Sequence, residues 1–153
     1  MRFVRNVGLT GLVAFLGASI AGVVGAELAQ WDQARVTSIA QQLVPAANAW
    51  ELAVRQEDDT IGSGTAREES SLRQQARTLR EMSAGLAAHL AKGKGHDQTL
   101  DLYRSLREVA DDTEEAAQRA ELDAPAIAAW SKVADLLRQI APYYDPKAAG
   151  ETK

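Results

Sequence analysis

Three side chains of the kinds that bind copper or haem iron recur at intervals of seven residues, namely Met82, His89 and His96. Thioether sulfur and imidazole nitrogen are soft or borderline ligands, so this spacing raises the question of a metal or haem site. Along a helix, however, residues seven apart are separated by about 10 Å, because each residue rises about 1.5 Å. Gly93 and Gly95 also predict a helix break before His96. We therefore expect no bound metal or cofactor, with a metal- or haem-binding four-helix bundle as the alternative.

Adjacent carboxylates are the second candidate for chemistry, and they occur at 68–69, 111–112 and 114–115. Paired carboxylates can act in acid–base catalysis or hold hard cations. Neighbouring residues on a helix point about 100° apart, so these pairs do not converge on one atom. The chain has two histidines, no cysteine and no serine in a nucleophile motif, which leaves few bases or nucleophiles. The sequence predicts a protein that is not an enzyme.

Aromatic side chains lie near both ends of the region that follows residue 26. Trp31 is the fifth residue of this region, and Tyr143 and Tyr144 follow Pro142 near its other end. If the first and last helices are neighbours, these three aromatic side chains form one patch, which we predict to be the interaction site. The alternative for Trp31 is that its ring caps or fills the core.

Four helices must position these side chains. Interruptions at 58–64, 93–95 and 122–125 divide a region rich in Ala, Leu, Glu, Gln and Arg. Pro45 lies inside the first helix and predicts a kink near that residue. Similar apolar stripes joined by short connections predict an all-α fold, an antiparallel up-down-up-down four-helix bundle. The stripes comprise Val36, Ile39, Leu43, Ala46, Trp50 and Ala53; Leu72, Ala76, Leu79, Ser83, Leu86 and Leu90; Leu102, Leu106, Val109, Thr113, Ala116 and Ala120; and Ala126, Trp130, Val133, Leu137, Ile140 and Tyr144. Leu100 and Tyr103 widen the third stripe.

Capping residues predict where two of these helices begin. Asp97 is suited to the N-cap of the third helix, because its carboxylate can accept a hydrogen bond from a backbone N–H of the first turn. The fourth helix is predicted to begin near Asp123, with Pro125 in its first turn.

The start of the chain has the pattern of a secretory signal peptide. Arg2 and Arg5 precede an apolar run at 7–24, and the small residues of the triplet 24–26 stand ahead of the acidic Glu27. A basic start, an apolar middle and small residues before the cleavage point are typical of such leaders. We therefore expect export followed by cleavage after residue 26.

These boundaries predict three parts of the chain. A signal peptide covers 1–26, a helical domain covers 27–146, and a polar disordered tail covers 147–153. The alternative is that the apolar run is kept, since about 20 apolar residues span a bilayer. The protein would then be an N-terminally anchored accessory subunit of a membrane complex.

Composition limits the partners. The absence of cysteine excludes disulfides, thiol nucleophiles and covalently attached haem. Because all 21 acidic residues and 15 of the 17 basic residues follow residue 26, the mature region has a formal charge of −6. An acidic surface argues against nucleic acid and, after signal cleavage, against an anionic membrane as partner.

Together these patterns predict an exported protein, periplasmic or secreted, that acts by binding in the bacterial envelope. The expected partner is a protein or a small apolar ligand. Four similar amphipathic helices are compatible with a monomer or a homodimer, because the same stripes can pair within one chain or between two.

Overall fold

The computed structural model describes residues 28–57, 66–120 and 122–150. Within these ranges the chain is helical and contains no strand, which confirms the all-α class. Its four long helices are α1 (Gln33–Glu57), α2 (Ala66–Ala91), α3 (His96–Arg119) and α4 (Ala124–Ile140). A 3-10 turn at Ala141–Tyr143 and a short helix, α5 (Pro146–Gly150), follow them. The predicted signal segment 1–26 lies outside the described residues.

The four long helices pack around one apolar core. α1 packs against both α2 and α4, and α2 also packs against α3. The backbones of α3 and α4 come close at few positions. The core holds large aliphatic and aromatic side chains, each of which stabilises the fold by roughly 1.5–3 kcal/mol when it leaves water. The largest fully buried side chains include Trp50, Leu43, Leu79, Leu86, Leu90, Leu106, Leu137 and Ile140.

The apolar stripes predicted for α1, α2 and α4 face this core. On α3, Leu106 and Thr113 of the predicted stripe are buried, whereas Leu102 and Val109 are half-buried and pack against the core. Three of the five buried residues on α3 carry a hydroxyl group, and those of Thr99 and Thr113 donate to backbone carbonyls of the preceding turn. The buried residues of α3 are Thr99, Tyr103, Leu106, Ala110 and Thr113.

Short polar side chains set the helix starts. Asp32 Oδ1 accepts a hydrogen bond from the Arg35 N–H at 2.9 Å and caps α1. Asp123 Oδ1 accepts one from the Ala126 N–H at 2.8 Å, which confirms the predicted start of α4. The prediction for α3 was wrong by two residues, since Gly95 and not Asp97 is its N-cap.

At the start of α3 the side chain of Gln98, the third residue of the helix, reaches back to the N-cap. Gln98 Oε1 accepts a hydrogen bond from the Gly95 N–H at 3.3 Å. This contact supports Gly95 as the N-cap, and the helix begins at His96. Asp97 then lies in the first turn, where its negative charge is favourable beside the positive end of the helix dipole.

Pro45 lies inside α1, and the helix continues through it without a break. The ring is exposed to solvent, so it does not disturb the core side of the helix. The kink near Pro45 stays a prediction. At the other end of the chain, α5 occupies residues for which the sequence predicts a disordered tail. Asp145 Oδ1 accepts a hydrogen bond from the Lys147 N–H at 2.9 Å, and Pro146 suits the first position of a helix.

Candidate functional site

Aromatic rings from three separate parts of the chain meet at one end of the helix bundle. Trp31 precedes α1, His96 is the first residue of α3, and the third part follows α4. The ring centroid of Trp31 lies 5.4 Å from that of Tyr144 and 6.4 Å from that of Tyr143, both with edge-to-face geometry. The structure therefore brings the three predicted interaction residues together. We call this cluster, with His96 and Tyr103, the aromatic end.

Tyr144 forms the buried centre of the aromatic end. Its ring stacks on Tyr103 with centroids 4.2 Å apart, and its hydroxyl lies 2.7 Å from Thr99 Oγ1. Burial raises the pKa of Tyr144, although the hydrogen bond with Thr99 lowers it in part. Burial also raises the pKa of Tyr103, to about 12. Both phenols are therefore neutral at physiological pH and serve as packing groups.

Trp31 is held in place by hydrogen bonds to neighbouring segments. Its indole Nε1–H donates to Gln33 Oε1 at 3.1 Å. The Gln33 amide in turn donates to the backbone carbonyls of Leu90 at 3.0 Å and Lys94 at 3.3 Å. This chain of contacts ties the start of α1 to the end of α2, so the indole ring has a fixed orientation.

An open concave surface of about 590 Å³ lies beside this ring, lined by residues 30–35 and Tyr143. Trp31 and Tyr143 are half-buried here, whereas Tyr144 is 6 % exposed and belongs to the core. Two aromatic faces and the exposed guanidinium of Arg35 are therefore offered to a partner. Such groups can make apolar, stacking and hydrogen-bonding contacts.

The three candidate metal ligands have different surroundings. Met82 packs against the core cluster, and His89 Nδ1 lies 3.2 Å from Lys94 Nζ. His96 Nδ1 lies 2.7 Å from Asp97 Oδ1, while its Nε2 is buried and has no hydrogen-bond partner among the described residues. Across the described ranges, no three His, Cys, Asp or Glu side chains form a group that could hold a metal ion.

The structure assigns His96 a packing role that sequence reasoning missed. Its ring stacks on Tyr144 with centroids 5.4 Å apart and meets Trp31 edge-on at 5.7 Å. The imidazole therefore fills the aromatic end. Thr99 was missed because it lies outside the stripe predicted for α3, whereas Tyr103 was expected to widen that stripe and is buried. The spacing of four between Thr99 and Tyr103 is the signal that could have found Thr99.

A second surface lies between the end of α3 and the start of α4. A cavity of about 250 Å³ opens there between Ile127 and Trp130 on one side and Glu114 on the other. Ile127 is 53 % exposed. The Trp130 ring centroid is 5.3 Å from that of the fully buried Trp50. We call this surface the α3–α4 groove, and its lining residues are Glu114, Ala117, Gln118, Leu122, Ile127 and Trp130.

The acidic pairs on α3 are divided between ion pairs and open solvent. Asp111 lies 2.8 Å from the guanidinium of Arg107, and Glu115 lies 3.7 Å from that of Arg119. Glu114 is exposed and has no ion-pair partner within the described ranges. The side chains of the pair at 68–69 lie outside the described residues.

Comparison of the chain with protein-family models, with curated proteins and with solved structures finds no match. None of the described helices combines the length and apolar character needed to cross a bilayer.

Proposed function

We propose that this chain is an exported, non-enzymatic binding protein of the bacterial envelope whose recognition surface is the aromatic end. One observation carries the proposal. Trp31 and Tyr143, which lie more than a hundred residues apart in the sequence, are brought into contact and left half-exposed beside an open concave surface. Aromatic residues on a concave surface are typical of interaction hot spots.

Rigidity of the surface supports a binding role. The indole of Trp31 is fixed through Gln33, and the ring of Tyr144 is fixed from behind by Tyr103. A preformed surface loses little conformational entropy when a partner binds, so more of the contact energy appears as affinity. The aromatic end thus has both apolar area and a defined shape.

The openness of the concave surface favours a protein partner over a small ligand. Small-molecule sites bury most of the ligand surface inside an enclosed pocket. The surface beside Trp31 is wide and open, and its lining includes the polar side chains of Gln30, Asp32 and Arg35. This mixture resembles the partly polar composition of protein interfaces.

The helix arrangement that we infer is the antiparallel up-down-up-down bundle. The start of α1 contacts the end of α2 through Gln33 and Leu90, and it contacts the residues after α4 through Trp31 and Tyr144. In the second half of α1, Trp50 meets Trp130 in the first half of α4. These pairings support alternating helix directions, which place both chain ends of the domain at the aromatic end.

Export rests on the sequence pattern of residues 1–26, and a periplasmic or secreted location follows from it. A specific contact also bears on the anchored alternative. The Ala29 N–H donates a hydrogen bond to the Pro142 carbonyl at 2.8 Å, so the chain enters the domain at the aromatic end. A retained leader would therefore hold Trp31 and Tyr143 close to the bilayer surface, where aromatic side chains are favoured.

Site-specific photo-cross-linking in the envelope of the native host tests the recognition surface. A photoreactive phenylalanine analogue replaces Tyr143 in one variant and Leu52 in the control, because Leu52 is an exposed apolar residue on α1 away from the aromatic end. We expect a discrete cross-linked partner from position 143 and none from position 52. Purified partner should then bind the Tyr143→Ser variant more weakly than the parent protein. Equal cross-linking at both positions, or none at position 143, would overturn the proposal.

The intact mass of the protein purified from the same envelope distinguishes the two modes of localisation. A mass that begins at Glu27 supports the exported binding protein. A mass that includes residues 1–26, with recovery in the membrane fraction, supports the anchored accessory subunit instead.

A further inference from the structure

The α3–α4 groove differs from the aromatic end in position and in charge. It lies where α3 ends and α4 begins, whereas the aromatic end is built where α3 begins and α4 ends. Among the residues that line the groove, Glu114 is acidic and none is basic. The groove therefore combines an apolar floor with a negative rim.

The apolar floor is formed by side chains that the core does not fully cover. Ile127 is 53 % exposed, and Trp130 is half-buried although its ring meets the buried Trp50. The groove exists because α3 and α4 come close at few positions, whereas the other neighbouring helices pack along their lengths. Exposed isoleucine beside a half-exposed tryptophan is costly in water, and covering both would be favourable.

The size of the cavity indicates what kind of group enters it. About 250 Å³ is less than the roughly 300–1,000 Å³ of sites for drug-sized ligands. It is enough for one or two apolar side chains of a partner. An anchor side chain in a pocket surrounded by polar groups is the arrangement found at many protein interfaces.

The charge of the rim indicates what surrounds that anchor in the partner. Glu114 lines the groove, is exposed to solvent and has no ion-pair partner among the described residues. Lysine or arginine beside the anchor would meet this rim, whereas acidic groups would be repelled. We propose that the α3–α4 groove binds a cationic amphipathic segment of a partner protein, with an apolar side chain between Ile127 and Trp130 and basic side chains at Glu114.

Binding of model peptides to the full-length protein tests this proposal. The probe is a helical peptide with a leucine stripe flanked by lysines, and the matched peptide has glutamate in place of every lysine. NMR titration of the backbone amides and tryptophan indoles gives both the affinity and the position of binding. We expect the lysine peptide to bind at least about tenfold more tightly, with the shifts centred on Leu122, Ile127 and Trp130.

Two variants of the groove and two matched controls identify the surface. Ile127→Asp and Glu114→Lys change exposed side chains, so both variants should fold, which circular dichroism checks. We expect each to weaken binding of the lysine peptide by about tenfold or more. The controls are Leu52→Asp, at an equally exposed apolar residue of α1, and Asp101→Lys, at an exposed carboxylate in the first half of α3. Each control should change the affinity by less than about threefold.

Several results would overturn the proposal. These are equal affinity for the two peptides, equal loss of binding in Ile127→Asp and Leu52→Asp, or shifts centred elsewhere. A dimer that Ile127→Asp converts to monomers would assign the groove to a second copy of this chain instead. None of these results depends on Trp31 or Tyr143, so the proposal for the groove and the proposal for the aromatic end can fail separately.

Discussion

The hydroxyl of Tyr144 lies 2.7 Å from Oγ1 of Thr99, and both groups are buried. Thr99 Oγ1 also donates to the Gly95 carbonyl at 2.9 Å, so the Tyr144 hydroxyl is the donor in their shared hydrogen bond. This contact joins the segment after α4 to the first turn of α3. The hydrogen bond thereby links the end of α4 to α3, although the backbones of these two helices come close at few positions.

Tyr144→Phe is expected to lower the free energy of unfolding by about 0.5–1.5 kcal/mol, because one buried hydrogen bond is lost without a large cavity. The half-exposed Tyr143 provides the control, and Tyr143→Phe should change stability by less than about 0.5 kcal/mol. Urea unfolding followed by circular dichroism measures both variants. Equal losses in the two variants would show that the Thr99 contact is not what stabilises this end.

The buried phenol of Tyr103 is expected to make the fold sensitive to alkaline pH. Its pKa is about 12 in the folded protein and about 10 in the unfolded chain, because burial disfavours the phenolate. Between these values the folded state binds more protons, so the free energy of unfolding falls as pH rises from 10 to about 12. Below pH 10 this group contributes no pH dependence.

Urea unfolding at a series of alkaline pH values, combined with tyrosinate absorbance, checks this prediction. In the Tyr103→Phe variant, stability should fall less between pH 10 and 12 than in the parent protein. The remaining fall comes from Tyr144, because burial also raises the pKa of that residue. A variant with the same pH slope as the parent protein would contradict the assignment to Tyr103.

Arg80 is expected to stabilise the fold through the buried carboxylate of Glu51. Arg80 Nε lies 2.9 Å from Glu51 Oε2, and the side chain of Glu51 is 8 % exposed, with Arg55 contacting its other oxygen. Arg80→Met keeps most of the aliphatic stem but leaves Glu51 with one cation. We expect a loss of about 1–3 kcal/mol in the free energy of unfolding.

Arg77 gives a matched control for this substitution on the same helix. Arg77 Nε lies 2.9 Å from Glu81 Oε1, but both side chains are more than half exposed. Solvent screens such a pair, so Arg77→Met should change stability little. Equal stability of the two methionine variants would contradict the prediction that the buried carboxylate of Glu51 makes its ion pair with Arg80 more stabilising than an exposed pair.

The backbone at the end of α2 is expected to require glycine at position 93, because the residue there has a positive φ. Its φ is +78°, and a Cβ at this position would meet nothing within 4 Å, so only the backbone opposes a side chain. Gly93→Ala should cost about 1–2 kcal/mol. Gly95 has an equally open position but a φ of −84°, and Gly95→Ala should change stability by less than about 1 kcal/mol. Thermal unfolding compares the two variants, and a larger loss in Gly95→Ala would refute this explanation.

Local rules were enough to predict the helices. The steps of three and four residues in α1, α2 and α4 identify the buried faces, because an apolar stripe must leave water whatever its neighbour is. Asp123 and Pro125 likewise predict the start of α4, since a cap acts within one turn. The composition and the pattern of residues 1–26 predict an acidic exported domain, which is information carried by the sequence itself.

The tertiary structure decided which faces meet and what remains open between them. Trp31 and Tyr144 are in contact because α1 lies beside α4, and no local rule selects that neighbour among three helices with similar stripes. The burial of Thr99 and Tyr103 on α3 depends on contacts with Tyr144, which lies far away in sequence. The α3–α4 groove depends on the distance between two backbones, which side-chain packing throughout the core determines. Periodicity defines a buried face for each helix, but the choice of neighbour is a property of the whole fold.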